Sequence, residues 1–82
     1  MKTQEEIYFT LRQLMSEMFE LAPEDISLNA SLRDDLDIDS IDAVDLMVRL
    51  RSIIGKRINP EDFKTAHTIQ DVVDVIYRIN IA

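Results

Sequence analysis

No cysteine occurs in the 82 residues, which excludes a disulfide or a thiolate metal site as a supplement to the core. A single histidine, His67, cannot form a histidine metal cluster, and paired carboxylates alone are too common to specify acid–base chemistry. Basic residues number 9 against 16 acidic ones, a formal charge of −7. Such a chain repels phosphate backbones, so no nucleic acid is expected, and partners with basic docking surfaces are favoured. Tyr8 and Tyr77 do not interleave with a basic stripe, as stacking on bases requires. No apolar run approaches the roughly 20 residues that cross a bilayer. The opening Met1-Lys2-Thr3-Gln4-Glu5-Glu6 has no apolar core resembling a signal peptide, which makes the cytoplasm the expected location. With one glycine in the chain, there is no glycine-rich nucleotide fingerprint, and no repeat is present.

What remains is ordinary for a small globular domain: 46% hydrophobic and 30% charged residues, read as one monomeric domain over residues 1–82. The periodicity predicts an all-α bundle of three principal helices and one short one. The first runs from Gln4 to about Phe19, opened by the capping-box pair Thr3 and Glu6. Its stripe is Ile7, Leu11, Leu14, Met15, Met18 and Phe19. Residues 20–38 read as a long connection, interrupted or restarted at Pro23. Ile26, Leu28, Leu32 and Leu36 serve there as apolar anchors, and a loop of this length is often functional.

The second helix is expected to start at Ser40 with Asp39 as cap, Asp42 at N3, and Gly55 as the residue past its end. Ile41, Val44, Met47, Val48 and Ile54 are its expected inward rows, widened by Leu46, Leu50 and Ile53. A short third element follows Asn59 and begins at Pro60, with Phe63 pointing inward. The last helix spans Ile69 to about Arg78, capped by Thr68 and Asp71, with Ile69, Val72, Val73, Ile76 and Ile79 as its stripe and Val75 on the flank.

Chemistry concentrates around Ser40, in the run Leu36-Asp37-Ile38-Asp39-Ser40-Ile41-Asp42. Aspartates stand at 34, 35, 37, 39, 42 and 45 with no basic residue among them. A serine that attacks a substrate unaided needs an activating base, and none is evident here. A serine that serves as a point of attachment needs none. The aspartates superficially match oxygen-rich calcium spacing but lack the turn glycine and closing glutamate of an EF-hand. His67, just before the last helix, reads as a hinge or surface residue.

Asp39-Ser40-Ile41, with Leu36 before it and Asp42-Ala43-Val44-Asp45-Leu46 after it, resembles the attachment motif of acyl carrier proteins, and the likeness spans nearly the whole chain. The resemblance implies that Ser40 receives a 4′-phosphopantetheine arm from coenzyme A through a magnesium-dependent phosphopantetheinyl transferase. It implies partners that load and process the cargo: an acyl-loading enzyme, and enzymes of the ketosynthase, ketoreductase, dehydratase or acyltransferase type. Docking would fall on Asp37, Asp39, Ile41, Asp42, Asp45, Arg49 and Arg51, and an acyl chain would enter between helices near Val44, Met47, Phe63, Ala66 and Ile69. Helix amides favour a phosphodiester at Ser40 while the aspartates oppose it, which predicts an arm that projects outward.

Two departures from the family pattern stand out. Asp37 occupies a position usually held by glycine, three residues before the serine. If that backbone is left-handed, aspartate bears a penalty of roughly 1 kcal/mol, offset by local hydrogen bonding. Arg49, Arg51, Lys56 and Arg57 replace acid at the far end of the helix, which points to a specialised carrier with selective partners. The short motif leaves open an activated amino acid as cargo. An unmodified interaction module also stays open, and an autonomous hydrolase is the least favoured class.

Overall fold

The computed structural model describes residues 3–55 and 58–81; Lys56 and Arg57, named above for their charge, lie outside the described residues. Among the described residues, three α-helices carry the structure: α1 (Gln4–Phe19), α2 (Ser40–Ile54) and α3 (Ile69–Ile81). One turn of 3₁₀ helix spans Pro23–Asp25, and a second, Pro60–Phe63, stands where the short third element was expected. The described residues contain no β-strand, only an isolated antiparallel bridge between Ser31 and Thr68.

Each helix starts as its cap residues dictate. The Thr3 hydroxyl accepts from the Glu6 N–H at 3.2 Å, satisfying one of the amides left without a partner in a first helical turn. Ile7, Leu11, Leu14 and Met15 are buried, with Met18 and Phe19 partly so. This stripe packs along α3, whose Ile69, Val72, Val73 and Ile76 are almost wholly buried. Val75 is buried as well, so the apolar surface of α3 is wider than the expected stripe. Ile58, not singled out from the sequence, joins the same core.

α2 corrects the sequence expectation. Its inward row is Leu46 and Leu50, flanked by the partly buried Ala43, Met47 and Ile54. Ile41, Val44, Val48 and Ile53 are exposed instead. At 100° per residue, Ile41, Val44 and Val48 lie within one turn-spanning strip opposite Leu50. The apolar pattern that put Ile41, Val44 and Val48 in the inward rows, with Leu46 and Leu50 only widening them, could not tell a buried row from an apolar outer ridge.

The connection from 20 to 38 is fastened along its length. Ile26, Ala30, Leu36 and Ile38 are buried, whereas Leu28, expected to anchor it, is exposed. The Tyr8 hydroxyl donates to the Ile26 carbonyl. The start of α3 then stitches the loop in place: Ile69 N–H donates to Ala30 O at 3.1 Å, Gln70 N–H to Leu28 O at 2.9 Å, and Leu32 N–H to His67 O at 2.9 Å.

Among the described residues, two non-glycines have left-handed backbones, Glu20 (φ 54°) at the end of α1 and Asp37 (φ 55°) before α2. Asp37 therefore has the left-handed backbone for which glycine is the easy choice, so the condition set for it above is met. A left-handed L-residue costs roughly 1–2 kcal/mol, less for aspartate, and glycine returns part of any gain through unfolded-state entropy. Glu20→Gly is expected to raise stability by about 0.5–1 kcal/mol and Asp37→Gly by less. Urea unfolding of the two variants checks the order.

Candidate functional site

Ser40 is the first residue of α2 and is exposed. It is held there by a reciprocal capping box: Asp42 N–H donates to Asp39 Oδ1 at 2.9 Å, and Asp39 N–H donates to Asp42 Oδ2 at 3.3 Å. The Ala43 N–H donates to the Asp39 carbonyl. The amides of Ser40 and Ile41 are the remaining first-turn donors at the positive end of the helix, where an anion is favoured. The capping geometry therefore presents the hydroxyl outward on a rigid element.

Not every aspartate in the run faces a partner. Asp35 Oδ2 accepts from the Ser31 N–H at 2.7 Å, while the Ser31 hydroxyl accepts from Asp34 N–H at 3.1 Å. Asp35, Asp39 and Asp42 thus hold backbone in place, which sequence reasoning recognised for the latter two only. Asp37 and Asp45 are exposed, as are Arg49 and Arg51 further along α2. Ile41 is 73% exposed and sits beside Ser40. Among the described residues, no three acidic or histidine side chains converge as a metal-holding group.

Two grooves meet at Ser40. One, of about 270 Å³, is lined by Val44, Met47, Pro60 and Phe63 together with Ser40, Ala43, Glu61 and Lys64. It gathers three of the five residues named for an acyl chain. The other, of about 520 Å³, runs between the loop and the 64–67 segment and includes Ala66, Leu32 and Ile38 beside Arg33, Lys64 and His67. Ile69 lines neither groove; it is fully buried in the core, because it anchors the first turn of α3. Val44 reaches its groove from the exposed side of α2, not from the inner side as expected. Arg33, Lys64 and His67 were not paired with Ser40 by sequence reasoning, since three separate segments bring them together.

His67 shares a groove with Ser40, yet the surrounding hydrogen bonds are those of a helix cap. Asp71 Oδ2 accepts from the backbone N–H of His67 at 2.9 Å and of Thr68 at 3.1 Å, and Thr68 Oγ1 accepts from Asp71 N–H. In a hydrolase triad the carboxylate orients the imidazole ring; here it holds the chain entering α3. The backbone bonds from His67 and then Thr68 hold the Asp71 carboxyl below its ordinary value of 3.8, against an opposing effect of burial. A carboxyl depressed in the folded state contributes stability that is complete above its unfolded pKa and lost as pH falls through the folded one. Asp71→Ala is accordingly expected to cost about 1–2 kcal/mol at neutral pH. The gap to the parent should close below about pH 4 in urea titrations.

The described residues thus place an exposed serine at the start of α2, where a polar and an apolar groove meet. The comparisons give the family. Residues 10–76 match the family model described as a phosphopantetheine attachment site. The chain is 40% identical over 77 residues to acyl carrier protein 2 of Ralstonia nicotianae, covering 94% of this chain and 95% of that protein. It is 35% identical over 77 residues to the meromycolate extension acyl carrier protein of Mycolicibacterium smegmatis, covering 94% and 78%. A solved structure of the acyl carrier protein from Enterococcus faecalis superposes with a TM-score of 0.75 at 26% identity, covering 94% of this chain and 98% of that one. The chain belongs to the acyl carrier protein family of phosphopantetheine-bearing domains.

Proposed function

We propose that Ser40 is the attachment residue and that residues 1–82 act as one monomeric carrier domain, shuttling acyl groups between enzymes of fatty acid or polyketide-type biosynthesis. The observation that carries this reading is the exposed hydroxyl at the first position of α2, where the two grooves meet. Loading joins Ser40 Oγ to the pantetheine-side phosphorus of coenzyme A; the phosphoanhydride bond breaks, adenosine bisphosphate leaves, and the serine proton passes to the transferase. The attached arm supplies the terminal thiol that holds the acyl group as a thioester, which the cysteine-free chain lacks. The protein's own part is to present Ser40, offer Val44, Met47 and Phe63 to an apolar chain, and dock its partners. Met47 suits a variable occupant because an unbranched thioether repacks easily. No helix among the described residues is long and apolar enough to cross a membrane.

The outer face of α2 supplies the docking surface. Ile41, Val44 and Val48 form an exposed apolar ridge, with Asp37, Asp39, Asp42 and Asp45 at the serine end and Arg49 and Arg51 towards the other. A transferase, ketosynthase or acyltransferase that reads the first part of the helix through basic residues is accepted. One that presents cations to the far end meets like charge, which can cost several kcal/mol. This polarity supports a specialised carrier. Arg49→Glu with Arg51→Glu is expected to improve binding to housekeeping fatty-acid enzymes, measured by titration calorimetry; unchanged or weaker binding contradicts the assignment.

The test of the function is intact-protein mass after incubation with coenzyme A, magnesium and a broad-specificity phosphopantetheinyl transferase. A single phosphopantetheine addition is expected. No addition with either that enzyme or a cognate transferase counts against the reading.

A further inference from the structure

The larger groove beside Ser40 is unusual for so acidic a chain, because Arg33, Lys64 and His67 all line it. Their backbone is fixed on both walls. Leu32 N–H donates to His67 O at 2.9 Å, Asp34 N–H to the Ser31 hydroxyl at 3.1 Å, and Lys64 N–H to Glu61 O at 3.3 Å. Asp34 and Asp39 also line the groove, but the Asp39 carboxylate is engaged with the Asp42 amide. Leu32, Ile38, Ala43 and Ala66 supply apolar lining between these polar groups. Lys64 lines the apolar groove too, as do Ser40 and Ala43, so it stands at the junction of the two.

This lining matches one occupant, a pantetheine arm, which starts with a phosphodiester and continues through a dimethyl carbon and amides. Resting on the attachment assigned to Ser40, we infer that the polar groove is the arm's resting site. Lys64 and Arg33 pair with the phosphodiester, and Leu32 and Ala66 pack against the apolar part of the arm. Lys64 is a positioning residue: it holds the start of the arm where the apolar groove is also within reach. The aspartates alone predicted an outward arm; the fold adds the cations Arg33 and Lys64, which a linear reading does not place near Ser40.

Amide chemical-shift mapping of the protein before and after loading tests this, with intact mass first establishing the arm. Loading is expected to shift amides at 32–34 and 64–67 as well as those at 39–43, with proton–proton contacts from the arm to Leu32 and Ala66. In Arg33→Glu with Lys64→Glu, both at exposed positions, the changes at 32–34 and 64–67 should vanish while those at 39–43 persist. Shifts confined to 39–43 in the parent, or unaltered by the double substitution, overturn the resting site and leave the attachment intact. A protein that accepts no arm overturns the attachment reading itself.

Discussion

Ser40→Ala is expected to accept no phosphopantetheine at all, while its thermal midpoint stays within about 4 °C of the parent. The loss is complete because the nucleophilic oxygen is removed, and no neighbour can replace it. The Ser31 hydroxyl is committed to the Asp34 amide and the Ser16 hydroxyl donates to the Leu21 carbonyl. Ser52 is exposed but sits three turns along α2, away from both grooves. Stability is spared because Ser40 follows the cap instead of forming it: Asp39 and Asp42 make the capping bonds, and alanine is a good first-turn residue. Intact mass and a thermal scan on one preparation separate the two effects. Ser52→Ala, as a control, should load normally.

Ile41→Glu is expected to lower kcat/KM for loading by about tenfold or more, roughly 1.4 kcal/mol of lost transition-state binding, with folding unimpaired. Ile41 gives the core little, being 73% exposed, so its apolar surface next to Ser40 is available to a partner. Glutamate at the second helical position is favourable for the helix dipole, which removes misfolding as an explanation for weak loading. Ile53→Glu provides the contrast. Ile53 is also exposed, at 48%, but lies at the far end of α2 and outside the strip formed by Ile41, Val44 and Val48. Its effect on loading should be small. Equal losses for the two substitutions would show that general surface hydrophobicity, and not the ridge beside the serine, governs recognition.

Local signals made the helices and their starts legible. Thr3, Asp39 and Thr68 each cap the helix that the sequence assigns to them, and Gly55 ends α2 with φ 73°. These features depend on residues within a turn of one another. Orientation was harder to read. In α2 apolar residues occur nearly all round the helix, so composition could not separate Leu46 and Leu50, which face the core, from Ile41, Val44 and Val48, which do not. The candidate site was legible in the same partial way. Ser40 and its caps lie in one short run, and Val44, Met47 and Phe63 fall in one groove. The second groove depends on Leu32 bonding to His67 across the loop, a contact between distant segments that carries no periodic signature.

The central claim, that an acyl group rides on an arm at Ser40, is tested most directly by fragmentation mass spectrometry of the loaded and acylated protein after tryptic digestion. Cleavage after Arg33 and Arg49 releases residues 34–49, in which Ser40 is the sole hydroxyl-bearing residue. The expected result is one acyl-phosphopantetheine on that peptide, released on fragmentation, with the rest of the chain unmodified. An unmodified 34–49 peptide, or an acyl group found elsewhere in the chain, would contradict the account.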